Sequence, residues 1–212
     1  MDKLMGVSNF HIADYSGANA YNLPEIMPSA PIDVDGVRYF GISEWSRIKD
    51  RGNAILHGFS YDYHVNRLWN NPKQYLSGLQ KFRAVCTPDF SMYTDLPWAV
   101  KVYNAYKRQW LGRFWQENDV TVISTLSWGE GQIEDWTFDG VPKRSPVAFS
   151  LAYNNMDLEL AVAEIKRILD LLEPSQIFVK GGKRKLDMLD GLGVEFEIIP
   201  LFVPSSKRKE EE

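Results

Sequence analysis

Cysteine is almost missing from this chain: Cys86 is the only one in 212 residues. An intramolecular disulfide and a cysteine-cluster zinc site are therefore excluded. Histidine is scarce too, limited to His11, His57 and His64, so a histidine-rich metal site is not expected. No apolar run approaches the roughly 20 residues that a membrane-spanning helix requires. The first residues lack the charged, apolar, small-residue order of a signal peptide. Cytoplasmic residence without a membrane partner is the expectation. An excess of positive charge is also lacking, with 24 Lys and Arg against 28 Asp and Glu and a net charge of −4. That disfavours a globally basic nucleic-acid binder and leaves room only for a local basic patch. Finally, there is no GxGxxG dinucleotide fingerprint.

Aromatic residues are plentiful, at 13% with seven Trp. Core packing is the plain reading, because aromatic rings bury the most area per residue. A stacking surface or a homo-oligomer interface is the sharper one. Residues 1–35 are rich in Asn, Ser, Pro and Gly without a clear period. They read as an irregular arm packed on the domain through Phe10, Tyr15, Tyr21 and Ile26. Residues 36–204 read as a single domain, and the charged tail 205–212 as disordered.

Within the domain, short apolar runs alternate with helical patterns. Strands are predicted at 36–43, 54–60, 82–87, 120–125, 146–152, 176–182 and 195–200. Asn71-Pro72 predicts a helix start, with Tyr75, Leu76 and Leu79 on one face. Asp95 is predicted to cap a long helix with Pro97 in its first turn. Asp157 is predicted to open an amphipathic helix that stops before Pro174, and a short helix is expected around 184–190. Such alternation implies βαβ units and parallel pairing. The fold class is α/β with a mostly parallel sheet. An incomplete (β/α) barrel is preferred, with an open α/β sheet as the alternative.

In either architecture, ligands bind at the carboxyl ends of the strands, where loops converge. The candidate rim follows from the strand positions. It comprises Asp62 and His64; Asp89, Ser91 and Tyr93; Trp128 and Glu130; Tyr153; and Lys180, Gly181, Gly182 and Lys183. Asp62 and Asp89 follow neighbouring strands. As a pair they could split their pKa values into an acid and a base, or hold Mg²⁺. The competing reading is that each caps a turn. Pro88 stiffens the turn before Asp89 and favours it as the catalytic carboxylate. His64 is an acid/base candidate by position, whereas His57, in mid-strand, reads as buried and hydrogen-bonded. The Gly181-Gly182 pair beside Lys180 and Lys183 could cradle an anion or simply make a tight turn. Trp128 could wall a base or sugar ring. Cys86 reads as core, and Lys101 and Arg108 as the solvated face of the long helix.

The run VCTPDFSMYTDLPWAVKVYNAYKRQWLGRFWQENDVTVISTLSWGE, preceded by WNNPKQYLSGLQKF and followed by FDGVPKRSPVAFS, resembles a family of phage-, plasmid- and bacterium-encoded proteins, domain of unknown function 4417. The similarity spans roughly residues 54–182, and the PDFS-Y-D, R-WLG-WQ and SW segments are its more specific parts. The resemblance implies a mobile-element origin, a compact α/β domain and shared rim features at Asp89, Ser91, Tyr93, Asp95 and Trp128. It brings no activity with it. Two functions are therefore carried forward. One is a hydrolase or group-transfer enzyme acting on a nucleotide, sugar phosphate or nucleic-acid end. The other is a non-enzymatic accessory protein that binds a nucleotide signal, host protein or DNA.

Overall fold

A computed structural model describes residues 9–152 and 157–201. Seven strands form one all-parallel sheet in chain order: β1 (Arg38–Gly41), β2 (Ala54–His57), β3 (Ala84–Cys86), β4 (Val122–Thr125), β5 (Pro146–Ser150), β6 (Gln176–Lys180) and β7 (Glu197–Ile199). Five helices connect them: α1 (Asp62–Asn70), α2 (Pro72–Leu79), α3 (Trp98–Gln116), α4 (Leu158–Leu172) and α5 (Lys183–Leu186). The sheet curls into a nearly closed barrel. Tyr39 of β1 reaches Phe178 of β6 across the interior, with ring centroids 6.3 Å apart. The preferred barrel-like reading holds.

Strand side chains alternate between the two faces, and here one face is the barrel interior. Ile55, Ala84, Cys86, Ile123, Ala148, Phe178 and Ile199 pack there as one cluster. Their neighbours point outward. Leu56, Val85 and Val122 lie under a layer that includes Leu68 and Trp69 of α1, Leu79 of α2, and Trp110 and Trp115 of α3. Val147, Phe149, Ile177 and Val179 lie under Ile165, Ile168 and Leu172 of α4. Most strands are thus apolar on both faces, which explains their continuous rather than alternating hydrophobicity.

Several boundaries differ from the sequence reading. Strands end before the polar residues that had extended them, because pairing stops where loops diverge. Helix α1 was unforeseen, although Val65, Leu68 and Trp69 have helical spacing and are its buried residues. No helix links β4 to β5. Residues 126–145 form an irregular roof that buries Ile133, Trp136 and Phe138 instead. Asp95 does not cap α3, for the helix begins at Trp98 with Pro97 at the N-cap position. Asp157 does cap α4, and its carboxylate accepts hydrogen bonds from the backbone N–H groups of Glu159 (3.0 Å) and Leu160 (3.2 Å). Asp157→Ala is expected to cost about 1 kcal/mol, read as a lower denaturant midpoint with an unchanged m value.

In the arm, Leu23, Ile26 and Ile32 are buried while Phe10 and Tyr21 are exposed. Gln116 Nε2 donates to the Met27 carbonyl at 2.8 Å, and Ile26 N–H to the Gly140 carbonyl at 2.9 Å.

Candidate functional site

The barrel mouth is defined by the last inward-facing residue of each strand. By alternation with Ile55, Ile123, Ala148 and Phe178, these include His57, Thr125, Ser150 and Lys180. The TPD turn after β3 closes over them. Thr125 N–H donates to Thr87 Oγ1 at 2.8 Å, and Thr125 Oγ1 donates to the Thr87 carbonyl, so β3 and β4 are laced together past their last paired residues. Asp89 N–H donates to the Gly58 carbonyl at 3.2 Å, which ties the turn to β2. Only glycine fits at 58, because a Cβ there would lie 2.7 Å from the Thr87 carbonyl oxygen and 2.8 Å from Pro88 Cα.

These restraints aim Asp89 into a cavity of about 580 Å³ that also receives Tyr93, Ser127, Trp128, Glu130 and Ser150. Burial pushes the Asp89 carboxyl up to about 6, opposed by a hydrogen bond with Ser127 and by the nearby Arg108 and Lys180 cations. The indole of Trp128 is oriented by donation from Nε1 to Glu164 Oε2 at 2.9 Å, and Glu164 also accepts from Gly131 N–H at 2.8 Å. Glu130 accepts from Asp157 N–H at 2.6 Å and so fixes the roof to the start of α4.

Asp62 lies near Asp89 but opens α1, and its Oδ1 accepts from Ser91 N–H (3.1 Å) and Ser91 Oγ (3.0 Å). Asp62 and Ser91 therefore hold the Asp89 loop rather than line the cavity. Asp62 and Asp89 place two carboxylates in the region. Among the described residues, however, no group of three or more His, Cys, Asp or Glu converges on a metal-sized point. Mg²⁺ is held in proteins by one or two carboxylates completed by waters and substrate phosphates, and of this pair Asp62 already accepts through Oδ1 from Ser91. His64 sits away from the cavity, with Nδ1 3.3 Å from Arg67 and its ring against Tyr63.

Gly181, Gly182 and Lys183 do not line the cavity either. A Cβ at Gly181 would touch Leu186 and Leu151, and α5 beyond the pair is only four residues long. The close approach of backbone to α5 is the work of this glycine. Tyr153 lies outside the described residues. Lys180 does belong to the mouth. Burial lowers its pKa, while Glu44 and Asp89 oppose the shift. His57 is buried and neutral, pushed down to about 3 by burial and by Lys180, and its Nδ1 has no hydrogen-bond partner among the described residues.

The largest correction concerns α3. Lys101, Lys107 and Arg108 are 8%, 6% and 1% exposed, so they are not a solvated face. Lys101, Asn104 and Arg108 recur with helical spacing and face the mouth loops. Lys101 Nζ donates to the Thr94 carbonyl at 3.1 Å, Asn104 Nδ2 donates to the Ser91 carbonyl at 2.7 Å, and Arg108 supplies positive charge beside Asp89. Lys107 lies 3.9 Å from the Phe90 ring centroid, and burial lowers it to about 8 against the pull of Asp62. Cys86 is fully buried in the barrel interior, and burial pushes its thiol up. A thiol reagent such as Ellman's is expected to leave the native protein unmodified and to react fully in denaturant.

Two curated relatives match most of the chain. The Gene 1 protein of Mycobacterium phage L5 is 29% identical over 182 residues, covering 83% of this chain and 78% of that protein. The Gene 1 protein of Mycobacterium phage D29 is 29% identical over 181 residues, 82% of this chain but 65% of that longer protein. No solved structure matches the chain. The described family profile spans residues 10–196, from the arm to the edge of β7, and the chain belongs to that family, the domain of unknown function DUF4417.

Proposed function

We propose that the protein is a hydrolase or group-transfer enzyme acting on a small phosphorylated substrate of nucleotide size at the barrel mouth. The observation that carries this reading is the placement of Asp89. Its carboxyl is held by the TPD turn at the inner end of a 580 Å³ cavity, with Ser127 bonded to it and the Arg108 and Lys180 cations nearby. A carboxyl with a pKa near 6 is poised to exchange protons at neutral pH. Ionised above that value, Asp89 serves as general base toward a water or substrate hydroxyl. Trp128 and Tyr93 form the apolar wall, and Lys180 faces the substrate's negative charge. Asp62, Ser91 and Asn104 keep the loop in register, a positioning role.

The test is a thermal-shift and turnover screen of the purified protein against nucleoside phosphates and sugar phosphates, with Asp89→Asn beside it. Turnover by the native protein that is lost in Asp89→Asn supports the enzyme. A nucleotide that raises the Tm equally in both proteins and is returned unchanged overturns it in favour of a sequestering protein.

A further inference from the structure

Among the described residues, the most exposed aromatic residues are three tyrosines that follow β2 and β3. Tyr61 and Tyr63 are 75% and 65% exposed, with centroids 5.9 Å apart and rings within 12° of parallel. Rings this exposed gain nothing from burial, so core packing does not account for them. They flank Asp62, whose carboxylate is bonded to Ser91 as described above. Two residues beyond Ser91 stands Tyr93, 57% exposed and part of the cavity wall. Tyr93 thus lines the Asp89 cavity, and Tyr61 and Tyr63 extend outward from it on the adjacent segment that the Asp62–Ser91 hydrogen bonds tie to it. The other side of the mouth follows β6. β2 and β6 run parallel in one barrel-like sheet, so His57 at the end of β2 and Lys180 at the end of β6 stand at the same mouth. Directly after Lys180 and the glycine pair come Lys183 and Arg184, both exposed on α5.

Flat exposed rings beside a cationic edge are what an unpaired nucleic-acid strand requires: stacking for its bases and positive charge for its phosphates. A duplex hides its base faces and could use only the cations. We propose that the rim is a strand-binding track, in which Tyr61, Tyr63 and Tyr93 stack unpaired bases, Lys183 and Arg184 hold the backbone, and one strand end enters the Asp89 cavity. This rests on the enzymatic reading above and narrows its substrate from free nucleotides to the end of a single strand. The overall charge of −4 does not oppose it, because the contact is local and the rest of the surface discourages non-specific binding.

The experiment uses a fluorescein-labelled deoxythymidine dodecamer and anisotropy at low salt. Native protein and Asp89→Asn are expected to bind it. The double variants Tyr61→Ala/Tyr63→Ala and Lys183→Gln/Arg184→Gln are expected to bind at least tenfold more weakly, with Tyr61→Phe/Tyr63→Phe retaining binding and all variants keeping the native Tm. A twelve-base-pair duplex is expected to compete poorly, and added salt to weaken binding. Absence of dodecamer binding by the native protein, equal binding by both double variants, or full competition by the duplex overturns the track. The catalytic reading fails separately. If the dodecamer binds but neither it nor any small phosphorylated compound is turned over, the track stands and the assignment of Asp89 as a base falls. If small substrates are turned over and the dodecamer is not bound, the reverse holds.

Discussion

Asp89→Asn is expected to reduce turnover at least a hundredfold while making the folded protein more stable at pH 8. The first effect follows from removing a positioned proton acceptor, a contribution of roughly 10²–10⁴ in rate. The second follows from linkage. The folded carboxyl titrates at about 6 against 3.8 for its ordinary value, so the folded state holds the proton more tightly than the unfolded chain. Stability from this group is full below pH 4 and is lost as pH rises through 6. Asparagine keeps the size and the link to Ser127 but never ionises, so its advantage appears between pH 4 and 6 and persists above.

Two pKa units correspond to about 3 kcal/mol for a sealed group. Asp89 opens onto the cavity, whose water screens the charge, and about 1–2 kcal/mol is the expected gain. Denaturant titrations of both proteins at pH 4.5 and 8 measure it, and equal stability at both values would refute the shift. The same proton sets the rate profile. Activity is expected to rise with pH through a midpoint near 6. In Arg108→Met that midpoint moves upward, because Arg108 is one of the cations that hold the value down. The active site thus costs the fold some stability, as preorganised sites commonly do.

Gly58→Ala is expected to lose stability and activity together. The added methyl meets the Thr87 carbonyl and Pro88 Cα, and these are backbone atoms with no rotamer to change. Either β2 or the TPD turn must move. Forced overpacking of this kind costs about 2–3 kcal/mol, a fall in Tm of roughly 5–10 °C. The hydrogen bond from Asp89 N–H to Gly58 would open and the carboxyl would leave its place. Gly52→Ala is the control, since nothing lies within 4 Å of a Cβ at that position. It is expected to change stability by less than about 0.5 kcal/mol. If Gly58→Ala matched it, the close approach of β2 to the turn would not be what positions Asp89.

The seven strands and their order were legible because β-branched apolar runs such as Val120–Thr125 and Gln176–Lys180 can only be buried strands, and parallel right-handed crossovers place successive strands side by side. The cap at Asp157 was legible because its partners are two and three residues away. Asp89 was legible as a rim residue for the same local reason: it follows a strand and a proline. What escaped was the environment that only distant segments create. Lys101 and Arg108 have the spacing of a solvated face, and α3 buries them because the mouth loops fold over that side. Pro88 favoured Asp89 over Asp62 in the sequence, but both read as rim carboxylates. Ser91, 29 residues from Asp62, turns one into a brace and leaves the other facing the cavity. The sequence by itself determined the strands, their direction and the edge at which chemistry must sit, since those depend on periodicity and chain connectivity. The tertiary structure decided which carboxylate stays available and which cations are buried beside it, since burial and charge proximity are properties of packed surfaces that no local pattern encodes.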